Sequence, residues 1–137
     1  YLGENTVCSD TNFDSDYGEV RVFDYSGGNW TQMGEGFVGT ELQETFGWSI
    51  SLSGDGTTLA IGNSGSKING ENAGYSRAYR YACGTWAQVG NDIVGAMSHD
   101  WSGFSVGLSY NGERLAVGNP RDYGVPGNET VAVFSHS

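Results

Sequence analysis

The chain has few cysteines, prolines and basic residues, and it has no long hydrophobic run. Among its 137 residues there are 2 cysteines, 2 prolines and 6 lysines and arginines. Two cysteines are too few for a disulfide framework, and no window approaches the roughly 18 apolar residues of a membrane-spanning helix. With 37% hydrophobic residues, a chain of this length can bury one modest core. We therefore expect at most one domain and no membrane insertion.

The shortage of basic residues leaves an acidic chain. Sixteen aspartates and glutamates against six lysines and arginines give a formal net charge of −10. This charge repels phosphate backbones and anionic lipid surfaces, which excludes nucleic acid as an expected partner. Acidic loops suit divalent cations, and acidity also keeps a secreted protein in solution. Composition leaves both interpretations open.

Two similar hairpin patterns lie 56 positions apart, a spacing that we call the repeat offset. Residues 46–63 read FGWSISLSGDGTTLAIGN, with apolar and serine residues alternating before an Asp-Gly turn. Residues 103–119 repeat the pattern with Asn-Gly at the turn. Alternation around such a turn predicts a β-hairpin. The same offset aligns further identical pairs without a gap, among them Gly18 with Gly74, Arg21 with Arg77, Tyr25 with Tyr81, and Trp30 with Trp86.

Each repeat contains four strand-like runs and no helical spacing, which predicts an all-β fold. The complete copy has strands A (46–52), B (58–61), C (75–81) and D (85–89). Four strands in a repeat of this size are typical of a β-propeller blade. We predict a part-blade with strands B, C and D over residues 1–45, a complete blade over 46–95, and a part-blade with strands A, B and C over 96–137. The first C and D strands are predicted at 19–25 and 30–33, and the last three strands at 104–108, 115–117 and 131–134.

The pattern of residues 46–63, followed by GYSRAYRY and TWAQVG, resembles the FG-GAP repeats of integrin-α-like β-propellers, in the variant of secreted or cell-surface algal and bacterial proteins. The resemblance implies blades packed about an axis. This chain holds about 2.4 blades, whereas closed propellers need roughly four to eight. We expect it to be a segment of a larger propeller, and head-to-tail copies are the alternative. The hairpin turns SGDGTT and SYNGER lack the acidic loop of the calcium-binding family members, so that metal site is not carried over.

A metal site is a separate hypothesis for the acidic run near the N-terminus. Asp10, Asn12, Asp14 and Asp16 place oxygen side chains at every second position, as at the opening of an EF-hand loop. Calcium is the candidate cofactor there. Ser15 stands where the EF-hand turn needs glycine and Arg21 where it needs an acid. The helical EF-hand interpretation therefore fails, and a solvated acidic loop is the alternative to a calcium-stapled one.

Two short motifs do not support catalysis. Residues 34–39 match the G-x-G-x-x-G pattern, but no helix is predicted after them to bind a pyrophosphate. His99, Asp100 and Ser102 are hydrolase residue types, but such close neighbours on one loop cannot easily form a relay. We therefore expect no enzyme activity, with a hydrolase built on a propeller scaffold as the least favoured alternative.

The recurring arginines and tryptophans are expected to be structural. Arg21 and Arg77 could bind anions, but pairing with an acidic neighbour or packing of their stems is favoured. Trp30 and Trp86 could stack on sugars, but one tryptophan per blade at a fixed position favours packing between blades.

The blade topology gathers the B–C and D–A loops on one face, where Trp101 and Tyr123 are binding candidates. It also puts Cys8 on that face and Cys83 on the opposite one, so we predict no bond between them. Asn29 and Asn128 begin N-x-Thr sequons and are candidate glycosylation sites.

The sequence thus predicts a non-enzymatic extracellular protein for adhesion or for a cell-surface filament or appendage. Its expected partners are other blades of the same or a neighbouring chain, with extracellular glycans or proteins as further partners. The principal alternative is a lectin-like propeller that binds glycans through the B–C and D–A loop face.

Overall fold

A computed structural model describes residues 17–42, 44–120 and 130–135 of the chain. These residues form eleven β-strands and no helix, so the predicted all-β class is confirmed. Alternating apolar and small polar residues suit strands that bury their faces. The first unit contains β1 (Glu19–Val20), β2 (Phe23–Ser26), β3 (Asn29–Gln32) and β4 (Phe37–Val38). The second contains β5 (Ser49–Leu52), β6 (Thr58–Asn63), β7 (Tyr75–Ala82) and β8 (Thr85–Val94), and the third β9 (Ser105–Leu108), β10 (Arg114–Asn119) and β11 (Thr130–Ser135).

The second unit is one antiparallel sheet of four strands in the order β5-β6-β7-β8. Each strand pairs with the next along the chain, with Ile50 opposite Ile61 in the first pair. This is the predicted A–B–C–D meander, and it spans the predicted complete repeat. The hairpin between β5 and β6 closes at the Asp-Gly turn, where Gly56 adopts φ of +75°.

The other two units repeat parts of this sheet at the same repeat offset. Strands β9 and β10 begin and end one repeat offset after β5 and β6, and β11 completes a three-stranded sheet. In the first unit β1 and β2 cover the positions of β7, and β3 and β4 cover those of β8. They form two separate two-stranded sheets, β1-β4 and β2-β3. The described residues do not close into a barrel or a ring of blades.

The fourth strand of the second unit is longer than predicted. It continues from Val89 to Val94, because a register shift between Ser76 and Ala78 lets it pair beyond Gly90. Gly90 has φ of +71°, which an irregularity in a strand tolerates best at glycine. The shift leaves residues 90–92 opposite Arg77.

The centre of the structure is β6, in which every residue is buried. Its alternate side chains point to opposite faces of the sheet. Leu59 and Ile61 pack into a hydrophobic cluster shared with the first unit, which includes Val20 and Phe46. Ala60 packs into a second cluster formed with the third unit. The second sheet is therefore covered on both faces by its neighbours.

Candidate functional site

The most specific contact between units is made by Trp86. Its indole nitrogen donates a hydrogen bond of 2.7 Å to the backbone oxygen of Met33. The ring lies edge-on to Phe37, at 5.9 Å between centroids, and Phe37 also contacts the Tyr79 ring at 4.6 Å. The predicted role of Trp86 in packing between repeats is therefore confirmed. We call this set of residues (Met33, Gly34, Phe37, Tyr79 and Trp86) the first joint.

Trp30 occupies the equivalent position but is 69% exposed. Its ring lies beside that of Tyr25 on the neighbouring strand, at 5.1 Å between ring centroids. The expectation that Trp30 is buried between units is thus wrong for the described part of the chain, in which no strand lies over its outer side.

The serines that alternate along β5 join this strand to β9 and to the segment before it, in the third unit. The Ser49 hydroxyl donates a 2.8 Å hydrogen bond to the backbone oxygen of Gly103. The hydroxyl of Ser51 accepts a 3.0 Å bond from the amide of Leu108. The sequence pattern indicates these serines only as the polar half of a strand. The only feature of the sequence that could have indicated their contacts with the third unit is that serine recurs at every second position of a strand that is repeated in the next copy.

The hairpin turns are closed by side chains of their own residues. Asp55 accepts hydrogen bonds from the Ser53 hydroxyl at 2.7 Å, and from the amide and hydroxyl of Thr57 at 3.0 and 2.8 Å. These bonds, the Thr57 amide foremost, lower the pKa of Asp55. The Asn111 amide oxygen occupies the same place in the third unit and accepts from Ser109 at 2.8 Å. Both side chains are engaged as turn staples.

Arg77 forms a bidentate ion pair with Asp92. Its Nε and Nη2 atoms donate to the two carboxylate oxygens at 2.8 and 2.7 Å. The guanidinium also lies 4.3 Å from the centroid of the Tyr75 ring. The predicted structural pairing with an acidic neighbour is confirmed. Arg21 is likewise paired, with Glu19 at 3.2 Å, but that pair is exposed.

Removing the Asp92 charge should destabilise the second unit. Hydrogen bonds from Arg77 lower the pKa of Asp92 from its usual value near 3.8. The stabilisation is therefore present above that value and is lost as the pH falls through the lowered pKa. We expect Asp92→Asn to lower the free energy of unfolding at pH 7 by about 1 to 3 kcal/mol. The difference from the wild type should shrink at pH 2, as measured by urea unfolding.

The matched control is Glu19→Gln, which removes the acid of the exposed pair with Arg21. Its side chains are about half exposed, at 47% and 52%, so its loss should be below about 0.5 kcal/mol. Equal losses in the two variants, or an Asp92→Asn deficit that persists unchanged in acid, would contradict the assignment.

The loops at one end of the second sheet are clamped together, which agrees with the predicted B–C and D–A loop face. The amides of His99, Trp101 and Ser102 donate to the backbone oxygens of residues 71, 72 and 73 at 2.7, 3.0 and 2.9 Å. The Asn69 side chain donates to the oxygen of Gly95 at 2.9 Å. Residues 64–74 and 95–102 thus form one rigid surface, which we call the clamped loop face.

The clamped loop face holds three residues other than glycine in the left-handed region of backbone conformation. They are Asn72, His99 and Trp101, with φ of 51°, 63° and 54°. The region is uncommon for such residues, and it is disfavoured most for bulky ones. Backbone strain of this kind clusters at binding sites and tight loops. The Trp101 residue is partly buried.

The hydrolase residue types on this face have different surroundings. One carboxylate oxygen of Asp100 accepts bonds from the amides of Ala96 and Met97 at 2.8 and 3.1 Å, which stabilises the loop. The Ser102 hydroxyl is buried and has no hydrogen-bond partner. The nucleophile–base hydrogen bond that a relay requires is thus missing at Ser102.

The remaining predicted residues divide by position. Asn29 is exposed at the start of β3, next to the Gly27-Gly28 turn. Cys83 is exposed in the turn between β7 and β8, at the end of the sheet opposite the clamped loop face. Outside the described residues lie Cys8, Asp10, Asn12, Asp14, Asp16, Tyr123 and Asn128.

The described residues bear on three further features: metal-binding groups, membrane-spanning helices and a dinucleotide motif. No group of three or more histidine, cysteine, aspartate or glutamate side chains is arranged there to hold a metal ion. None of the described segments is a helix long and apolar enough to cross a membrane. The motif at residues 34–39 contains β4 and is followed by a loop, so no helix is available for a dinucleotide phosphate.

Comparison with known proteins gives no relative for this chain: no family model, curated protein or solved structure matches it.

Proposed function

We propose that the chain is a segment of an FG-GAP-like β-propeller and serves as a non-enzymatic structural or adhesion protein outside the cell. The observation that carries the proposal is the periodic packing of the units. Equivalent strands recur at the repeat offset, and the second sheet is covered by a neighbour on each face. Such a chain depends on its neighbouring repeats for its core, as structural repeat proteins do.

The described residues offer extended surfaces for partners. The clamped loop face is rigid because backbone hydrogen bonds fix both of its loops. Loops held on a rigid scaffold are where repeat proteins place recognition. The net charge of −10 favours basic or neutral partners and disfavours nucleic acid.

Surface labelling of native cells tests the extracellular location. Antibodies against the purified chain should label cells that have not been permeabilised. Peptide mapping after enzymatic release of N-linked glycans should find aspartate in place of Asn29, the mark of a removed glycan, because Asn29 is exposed beside a turn. Labelling that appears only after permeabilisation, together with an unmodified Asn29, would overturn the proposal.

Glycan binding is the second candidate, and the partly buried Trp101, with its left-handed φ on the clamped loop face, favours it. Aromatic rings that combine a packed edge and an exposed face suit stacking on sugars. We expect Trp101→Ala to abolish any signal on a glycan array. Trp48→Ala, which removes another exposed indole outside the clamped loops, should preserve it. The absence of any glycan signal from the unaltered chain would remove this candidate.

A further inference from the structure

A groove lies between β8 of the second unit and the three-stranded sheet of the third unit. Its volume is about 330 Å³, and its walls are largely apolar. Val89, Gly90 and Ile93 of β8 form one side, and Leu108, Leu115 and Ser135 form the other. The groove lies where the third unit has its A, B and C strands but no described fourth strand.

The equivalent space at the first joint is filled. Met33, Gly34 and Phe37 stand one repeat offset before Val89, Gly90 and Ile93. Over them lies the indole of Trp86, which hydrogen-bonds to Met33, and the ring of Tyr79. In the third unit the position of Tyr79 is taken by Ser135, and that of Trp86 lies beyond residue 137 in the repeat numbering.

The two equivalent glycines, Gly34 and Gly90, have different surroundings. A Cβ atom built on Gly34 would lie 2.9 Å from Cδ1 of Trp86, so this glycine allows the indole to approach the backbone. A Cβ atom built on Gly90 would meet nothing within 4 Å. Both residues have left-handed φ angles, 70° and 71°. The backbone shape that receives a tryptophan at the first joint is therefore repeated at Gly90 with open space above it.

The neighbouring sheet edge is also available for pairing. In the order β11-β10-β9, strand β11 lies at the edge within the described residues, whereas in the second unit the matching strand β7 pairs with β8. An edge strand presents unpaired amide and carbonyl groups, onto which another strand can add.

We propose that this groove and the β11 edge bind one further strand of the same repeat, with its tryptophan seated against Gly90 as Trp86 is seated against Gly34. The occupant is a single strand with the pattern Trp-x-Gln-x-Gly, which both copies in this chain share. This inference rests on the proposed repeat function and names the partner segment. The indole nitrogen would donate to the backbone oxygen of Val89, the counterpart of Met33.

An intact second copy of the chain is not the proposed occupant of the groove. Its first unit would have to place β1 and β2 where β11 lies, because residues 18–23 and 130–135 hold equivalent positions in the repeat. Only the fourth strand of the repeat, which follows the position of β11, has no counterpart among the described residues and can therefore occupy the groove. A dimer that blocks the groove would therefore contradict the proposal.

The test is titration of the full chain with a synthetic peptide of residues 26–38, SGGNWTQMGEGFV, which carries Trp30 and no cysteine. Isothermal titration calorimetry should show saturable binding at one peptide per chain. The peptide with Trp30→Ala should bind at least about tenfold more weakly, since buried tryptophans dominate interface energies. A 5-fluorotryptophan peptide should show a shifted ¹⁹F resonance when bound.

A matched pair of protein variants locates the binding site. Gly90→Asn adds a side chain to the seat, and asparagine tolerates left-handed φ, so the fold should persist while peptide affinity falls at least about tenfold. Gly84→Asn, at φ of 81° with nothing within 4 Å, is the control in the β7–β8 turn and should bind normally. Thermal unfolding of both variants verifies folding.

Besides a dimer that blocks the groove, three results of the binding experiments would overturn the proposal. They are no saturable binding at peptide concentrations up to about 1 mM, a weak-affinity limit, equal affinity of the Trp30→Ala peptide, or equal affinity of folded Gly90→Asn. The peptide comparison needs no protein variant, so a misfolded variant leaves it decisive. Failure here with surface labelling retained would remove the strand-binding site and leave the proposed function standing. Loss of surface labelling with peptide binding retained would remove the proposed extracellular function and leave the strand-binding site standing.

Discussion

Replacing Trp86 by alanine should lower the free energy of unfolding by about 3 kcal/mol, within the range for large aromatic residues truncated in a packed environment. The substitution removes the indole from above Met33, Gly34 and Phe37 and leaves a cavity between the first two units. It also leaves the backbone oxygen of Met33 without its 2.7 Å hydrogen bond from the indole. Urea unfolding followed by circular dichroism measures the loss.

Trp30→Ala is the control, because the two tryptophans occupy the same position in consecutive repeats. Trp30 is 69% exposed and contacts Tyr25, so its removal should cost less than about 1 kcal/mol. A comparable loss in both variants would show that the indole acts through the local hairpin. It would then contribute nothing specific to the joint between units.

The contrast between these tryptophans shows where sequence reasoning succeeds and where it stops. The constant repeat offset, the alternation along each strand and the Asp-Gly and Asn-Gly turns predict nearly every strand. These are local patterns, and hydrogen bonds within one sheet satisfy them. Burial of Trp30 or Trp86 depends on whether another unit covers it, which the repeated sequence alone cannot distinguish.

The ion pair of Arg77 gives a second example. Its need for an acidic partner can be predicted, since a charged side chain on a central strand is usually paired. The identity of Asp92 cannot, because the register shift beyond Ser76 brings residues 90–92 opposite Arg77. The sequence predicts that the strand ends before Gly90, although this glycine, with its left-handed φ of 71°, lies within β8.

The position of the clamped loop face follows from topology, but its internal structure does not. Alternating connections in a four-stranded meander place the B–C and D–A loops at one end, whatever their sequences. The bonds that lock them run from the amides of His99, Trp101 and Ser102 to backbone oxygens. Such contacts carry little information in side-chain identity, so neither the left-handed φ of Trp101 nor the unpartnered hydroxyl of Ser102 can be predicted from residue types.

The second and third units approach each other closely at Gly62, and substitution there should be as damaging as loss of Trp86. A Cβ atom on this residue would collide with the backbone oxygen of Gly103 and with the Ser49 hydroxyl. Those two groups are hydrogen-bonded to each other at 2.8 Å, so the clash would disrupt a contact that joins β5 to the third unit. Gly62 is buried within β6, and the second and third sheets cannot move apart without opening the hydrophobic cluster that they share.

We expect Gly62→Ala to lower the free energy of unfolding by about 3 kcal/mol, at the upper end for overpacking by one methyl group. Gly118→Ala is the matched control at the equivalent position of β10. Its added Cβ would clash with the hydroxyl of Ser105, an exposed side chain that can rotate away, and its other near neighbours, Cβ and O of Ser105, lie at ordinary contact distances of 3.5 and 3.7 Å. The loss should therefore stay below about 1 kcal/mol. Neither glycine has a positive φ angle, so alanine adds no backbone strain and the difference measures contact alone. Equal unfolding midpoints in urea for the two variants would mean that Gly103 and Ser49 move aside at little cost. The contact between β5 and the third unit would then not hold these units together.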